Sequence, residues 1–232
     1  MEDRMEHLPN GITLELCEGA FPLSTDSMLL AHFARFRRNA RILDLGSGCG
    51  TLGLLLCAKD PGCTVTGLEL SADAHATAQE NIRRNGLDTR LKSICADLRN
   101  LPDEFVSGFH CCISNPPYFS GGPASQTTPL ARRDDCCQPE DLCRTAARSL
   151  QYGGDFYLVH KPEKLAQLIA CGAAVGLEAK QLILIRHKEG GPVNLILLQM
   201  RKGAKPGLQL HEKSLFDLRG EPTAYYREVY HI

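Results

Sequence analysis

Arg41-Ile42-Leu43-Asp44-Leu45-Gly46-Ser47-Gly48-Cys49-Gly50, continued by Thr51-Leu52-Gly53-Leu54-Leu55-Leu56-Cys57-Ala58, reads as a buried strand that runs into a glycine loop and then a leucine-rich helix. Glycines at 46, 48 and 50 let the backbone approach a ligand closely. The helix that follows offers free N–H groups and the positive end of a dipole to a carboxylate or phosphate. Gly48-Cys49-Gly50-Thr51-Leu52-Gly53 also satisfies G-x-G-x-x-G, so a dinucleotide-binding fold fits the same residues.

Working outward, two acids reinforce the loop. Glu69 closes the apolar run Thr64-Val65-Thr66-Gly67-Leu68, where a carboxylate suits ribose hydroxyls, and Leu70 follows it. Asp97, followed by Leu98, closes the run from Leu91 to Ala96, where a carboxylate can accept from an adenine amino group. Either acid alone reads equally as a helix cap. Together they mark the carboxyl ends of successive strands, the edge at which open α/β sheets bind ligands. Strands are expected at 41–46, 63–69, 90–96, 109–114, 154–160, 178–186 and 192–201, with helices at 51–59, 71–85, 138–150 and 162–175. This predicts a doubly wound, mostly parallel, seven-stranded sheet ending in an antiparallel hairpin turned at Glu189-Gly190-Gly191. Residues 1–232 form one domain, in which 1–40 supply a strand pair (12–16 with 20–23) and a lid helix over 27–36, and 41–232 form the core.

Asn115-Pro116-Pro117-Tyr118 follows the strand 109–114. An aromatic amine is a poor nucleophile because its lone pair is delocalised into the ring, and attack requires the nitrogen to move toward tetrahedral geometry. Two carbonyl acceptors, Asn115 Oδ1 and the Pro116 backbone oxygen, can orient the N–H groups and stabilise the positive charge that develops on nitrogen. The prolines fix φ and keep the residues before them extended, so the acceptors are preorganised. Tyr118 is placed to stack on the target ring. Asn-Pro-Pro is also a common way to turn a chain at a strand end.

The Asp44–Gly50 loop, Glu69, Asp97 and Asn115–Tyr118, in that order, resemble the S-adenosylmethionine-dependent methyltransferases of the amino-group type, with their class I, Rossmann-like fold. The resemblance implies that Asp44, Gly46, Gly48 and Gly50 lie against the methionine part of the cofactor. It also implies that Glu69 with Leu70 holds the ribose, that Asp97 with Leu98 borders the adenine, and that Asn115 to Tyr118 orient the acceptor nitrogen. Phe21-Pro22-Leu23-Ser24-Thr25-Asp26-Ser27-Met28-Leu29-Leu30-Ala31, Asn115–Phe119, Ala131-Arg132-Arg133-Asp134 and Phe156-Tyr157-Leu158-Val159-His160 are similar to the tRNA(Val) adenine-37 N6-methyltransferase family. Members commonly carry His and Glu where this chain has Arg133 and Asp134. The resemblance places Thr25 and Asp26 near the cofactor. Asp26 reads equally as a first-turn acid of the helix beginning there.

Composition fits a single enzyme domain: 232 residues with 43% hydrophobic and 23% charged content can bury one substantial core. No apolar run approaches the roughly 20 residues of a membrane span, and the acidic opening lacks the pattern of a secretory signal. Eleven cysteines, an odd number without disulfide-like spacing, point to reduced thiols in a cytoplasm. Cys136, Cys137 and Cys143 form no C-x-x-C pair, so no metal is expected.

The net charge of −1 provides no global attraction to nucleic acid. Local basic clusters occur at Arg35-Phe36-Arg37-Arg38 with Arg41, Arg132-Arg133, Arg186-His187-Lys188, and Arg201-Lys202 with Lys205. Each suits a solvated face as readily as a phosphate contact. The substrate-side expectation is therefore confined to Tyr118, Phe119, Arg132 and Arg133, on or beside the long segment 119–137, expected to be a mobile loop that closes over the target base. The expected partner is RNA, with tRNA foremost, its base splayed out and stacked. Direct in-line transfer from S-adenosylmethionine needs no covalent enzyme intermediate. The same tetrapeptide chemistry serves a protein glutamine amide or a guanine N2 of ribosomal RNA. A noncatalytic nucleotide-binding module and a nicotinamide oxidoreductase also fit parts of the pattern.

Overall fold

The computed structural model describes residues 5–7, 11–16, 24–117 and 138–230. Along the chain the elements are β1 (Met5–His7), β2 (Thr13–Glu15), α1 (Thr25–Phe33), β3 (Arg41–Leu45), α2 (Thr51–Lys59), β4 (Thr64–Glu69), α3 (Ala72–Arg84), β5 (Leu91–Cys95), β6 (Phe109–Ser114), α4 (Pro139–Ser149), β7 (Leu150–His160), α5 (Leu165–Ala174), β8 (Leu177–Lys188), β9 (Val193–Lys202), β10 (Gln209–Phe216) and α6 (Ala224–Tyr230). Apart from β1 and β2, the strands form one sheet in the order β10-β8-β9-β7-β6-β3-β4-β5. β3 pairs in parallel with β4 on one side and β6 on the other, whereas β9 runs antiparallel to both β7 and β8.

Period-two alternation divides the buried side chains between two faces. Ile42, Cys111, Ile113, Tyr157 and Val159 join α1, α2 and α6 in one cluster. Leu43, Leu45, Cys112, Phe156 and Leu158 pack against α4 and α5 in the other. Strands covered on both faces explain why β3 reads as a continuous apolar run interrupted only by Asp44.

The doubly wound core and its antiparallel hairpin match the sequence expectation, with one strand more than the seven anticipated. β10 pairs in parallel with β8 at the sheet edge, and because its first five residues are exposed it carries no buried-strand signature. β7 starts at Leu150, earlier than the expected 154, because a register break between Phe109↔Leu150 and Cys111↔Asp155 loops three extra residues out of it. The expected helix 162–175 is divided into a single 3-10 turn, Pro162–Lys164, and α5. The expected helix 27–36 is α1, begun two residues earlier by the Ser24 cap, whose Oγ accepts from Ser27 N at 3.3 Å. β2 finds its partner in β1, through Met5↔Glu15 and His7↔Thr13; the proposed partner 20–23 lies outside the described residues. No helix among the described residues is long and apolar enough to cross a membrane.

The free edge of β2 is closed by side chains. Asn85 Oδ1 accepts from Thr13 N (3.0 Å) while its Nδ2 donates to Thr13 O (2.7 Å). Asn81 repeats the pattern with Glu15, accepting from N (2.8 Å) and donating to O (2.9 Å). Residues four apart on a helix rise about 6 Å and residues two apart on a strand about 6.7 Å, so two asparagines on α3 present a ladder in register with β2. Asn81 Nδ2 also donates to Cys49 O at 2.9 Å, which ties the glycine loop to the same side chain. An Asn81→Ala protein leaves those backbone groups without partners and is expected to lose about 2 kcal/mol of stability. Urea unfolding measures this, and a loss below about 0.5 kcal/mol contradicts the ladder.

Candidate active site

The chain moves outward from β3 through β4 to β5 and then returns to place β6 on the other side of β3. At such a switch point the connections leaving two adjacent strands diverge and open a crevice at their carboxyl ends. The loop after β3 and Asn115 after β6 are therefore neighbours. Ser114 Oγ fastens the two ends together by donating to Leu45 O at 2.7 Å.

Gly46 N and Ser47 N both donate to Leu68 O (2.9 and 3.0 Å), carrying the β3–β4 pairing into the loop. Gly46 and Gly48 adopt left-handed φ values of 76° and 54°. A Cβ built on either meets nothing within 4 Å, so both present bare backbone to open space. Gly67 is required for the opposite reason: a Cβ there would lie 2.5 Å from Ser47 Oγ.

Three carboxylates border the crevice in different electrostatic states. Glu69 is bound by backbone at both oxygens, accepting from Gly48 N through Oε2 and from Ser71 N through Oε1, each at 2.7 Å. The loop thus holds Glu69 at the end of β4, beside exposed Leu70. Asp97 caps the turn Leu98–Asn100 by accepting from Arg99 N (2.9 Å), and the Arg99 guanidinium grips both of its oxygens. Those bonds hold its pKa below the ordinary aspartate value. Any adenine contact at Asp97 therefore shares a carboxylate already engaged by Arg99. Leu98 is buried and fixed through its carbonyl, which accepts from Thr145 Oγ1 at 2.9 Å.

Asp44 differs from both. It is 1% exposed, lies in register with Gly67 and Ile113, and neither carboxylate oxygen has a hydrogen-bond partner; Ser47 Oγ beside it is also buried and unpartnered. Burial, with a smaller contribution from the Glu69 charge, pushes its pKa up to about 8. A buried acceptor pair beneath two glycines facing open space suits a ligand that brings a cation and hydrogen-bond donors.

On the β6 side, Asn115 is half-buried and donates from Nδ2 to Ser27 Oγ on α1 at 3.0 Å, while Pro116 is buried. Ser27, 6% exposed, lies in the quoted run 21–31 but carries no role in the sequence reading. Its pairing with Asn115 spans 88 positions, and only the spacing Ser24-x-x-Ser27 hints at it. Thr25 Oγ1 is 3.0 Å from Tyr230 Oη, and Asp26 occupies the first turn of α1. Tyr118, Phe119, Arg132, Arg133 and the whole segment 119–137 lie outside the described residues, as do Cys136 and Cys137. Cys143 is fully buried between α4 and α5.

The sequence profile described as Methyltransferase small domain matches residues 23–170. The chain belongs to this methyltransferase family. It is 33% identical to the tRNA1(Val) (adenine(37)-N6)-methyltransferase of Tolumonas auensis over 79% of this chain and 77% of that one. It is 29% identical to the protein of the same name from Bacteroides fragilis, over 91% of each. A crystal structure of a predicted O-methyltransferase from Agrobacterium tumefaciens superposes with a TM-score of 0.75 at 23% identity, covering 89% of this chain and 96% of that one, and so shares the fold. The protein is thus an S-adenosylmethionine-dependent methyltransferase, and the bare glycines with the buried, unpartnered Asp44 and Ser47 fit that cofactor.

Because burial raises the Asp44 pKa above its unfolded-state value, its contribution to stability is full below about pH 4 and is lost as pH rises through about 8. In calorimetric melts without added cofactor, Asp44→Asn is expected to match wild type near about pH 4 and to melt higher at about pH 9. Parallel melting curves across that range contradict an unpartnered buried carboxylate.

Proposed function

We propose that this methyltransferase acts on the N6 amino group of an adenine in tRNA, within a cytoplasm. The observation that supports it is the placement of Asn115-Pro116 beside the glycine loop, with the Asn115 amide oriented through Ser27. The names of the relatives at 25–33% identity point the same way.

S-adenosylmethionine, when bound, supplies a methyl group on a sulfonium that departs as a neutral thioether. Asp44, the bare backbone of Gly46 and Gly48, and Glu69 hold that reactant, with Asp97 and Leu98 at its adenine and Thr25 and Asp26 at the entrance. With Nδ2 held by Ser27, Asn115 presents Oδ1 as an acceptor for one N–H of the target amine, and the Pro116 carbonyl accepts the other. These bonds draw the lone pair out of conjugation and stabilise the positive charge that builds on nitrogen, which afterwards releases one of the two hydrogens as a proton. Tyr118 and Phe119 stack the target base, and Arg132 and Arg133 meet its flanking phosphates. Alignment of two bound reactants contributes roughly 7–11 kcal/mol of the rate enhancement, which makes a positioned amide more useful here than a general base.

Labelled methyl transfer to tRNA lacking the modification, read by nucleoside mass spectrometry, tests this reading. N6-methyladenosine is expected with wild type. Asn115→Ala is expected to lower turnover roughly 100-fold or more, with cofactor affinity within about threefold. Methylated guanosine, or a methylated peptide in place of a nucleoside, overturns the substrate assignment.

A further inference from the structure

The edge of the sheet opposite the methyl-transfer crevice carries a cleft of about 220 Å³ lined by Arg35, Arg37, His110, Tyr152 and Asp155, among others. Arg41, at the amino end of β3, adjoins it through a bond from its backbone N to His110 Nδ1 (2.9 Å). With β3 rising about 3.3 Å per residue, the cleft lies roughly 16 Å from the glycine loop.

Its cations are not engaged by acids. Arg186, Arg201 and Lys202, from the other described basic clusters, are bound to Glu212, Asp155 and Leu150 O respectively. By contrast, Arg35, Arg37, Arg38 and Arg41 make no ion pair with any described carboxylate, and Arg35 donates to His32 O. The acid in the cleft, Asp155, is ion-paired with Arg201 and accepts a hydrogen bond from Gln199 Nε2, each at 2.8 Å.

Two donors also face each other there. His110 Nδ1 accepts from Arg41 N, so the proton of the neutral ring resides on Nε2, and Nε2 meets the Arg37 guanidinium, which has only hydrogens to give. Burial and the two arginines hold the His110 pKa below its ordinary value, which keeps the ring in that neutral form. An anion oxygen beside the pair can accept from both groups.

Tyr152 supplies the second element. The register break in β7 extrudes it, leaving the residue 82% exposed. It is nonetheless fixed: Oη donates to Gly203 O at 2.9 Å, and the ring packs so closely over Gly203 that a Cβ there would collide with it. A tyrosine anchored on one side and open on the other, beside arginines that make no ion pair with any described carboxylate, offers a ring face on which a base can stack.

We propose that this cleft is a second RNA contact, in which Arg37, Arg41 and His110 bind a backbone phosphate and Tyr152 stacks an adjoining base. It rests on the proposed RNA substrate, but it stands apart from the crevice that performs methyl transfer and does not depend on which base is modified there. A folded RNA spans both edges, and the local cations supply the attraction that the overall charge of −1 does not.

The test is fluorescence anisotropy of labelled tRNA with the full-length protein over a salt series, using Arg37→Ala/Arg41→Ala and Tyr152→Ala, all at exposed positions. The arginine variant is expected to weaken binding roughly tenfold near 0.1 M salt and to reduce the slope of log affinity against log salt by about 1 to 2. Tyr152→Ala is expected to weaken binding about five- to 100-fold with the slope unchanged. Both should bind S-adenosylmethionine as wild type does. Wild-type tRNA affinity and slope in both variants overturn the proposal. It is equally overturned if adenosine monophosphate or inorganic phosphate occupies the cleft and loses that binding in the variants while tRNA binding is untouched, since the cleft is then a mononucleotide or phosphate site.

Discussion

Parallel pairing of β3 with β6, two strands distant in sequence and adjacent in space, is the constraint on which the molecule depends. Hydrogen bonding between them fixes the relative heights of their carboxyl ends, and the bond from Ser114 to Leu45 removes the remaining slack. The glycine loop, Glu69 and Asp97 then lie at the carboxyl ends of β3, β4 and β5, and Asn115 lies at the end of β6 beside α1. The apolar faces above and below serve this alignment, because a one-residue slip of either strand would exchange its two faces.

Within that frame, the site distributes polar groups unevenly. Glu69 and Asp97 are hydrogen-bonded within the protein, by backbone N–H groups and by Arg99, and so are fixed features of the crevice. Asp44 and Ser47 are left unsatisfied at the bottom of the loop, at an energetic cost a well-packed apolar residue would not incur. A fold tolerates such a cost where function requires it, and here it sits beneath the bare backbone of Gly46 and Gly48.

The centre of this arrangement was legible in the sequence because it is local. Strand, glycine loop and helix follow one another without a break, and each acid stands at the end of its own apolar run. Asn115-Pro116 was legible as the segment leaving β6, since prolines preset the backbone at a strand end. What escaped depends on side chains meeting across long separations. Ser27 touches Asn115, and Asn81 and Asn85 touch β2, only after the chain has folded. β10 was missed because an exposed edge strand has no apolar face to announce it, and the early start of β7 because a bulge breaks its alternation. The expectations at Tyr118, Phe119, Arg132 and Arg133 fall outside the described residues.

Asn81 joins three segments through one amide: the helix that carries it, the strand at Glu15, and the glycine loop at Cys49. Order in β2 and order in the glycine loop are thereby linked through one side chain. A ligand that quiets the loop is therefore expected to steady the first strands, and loss of those strands to slacken the loop.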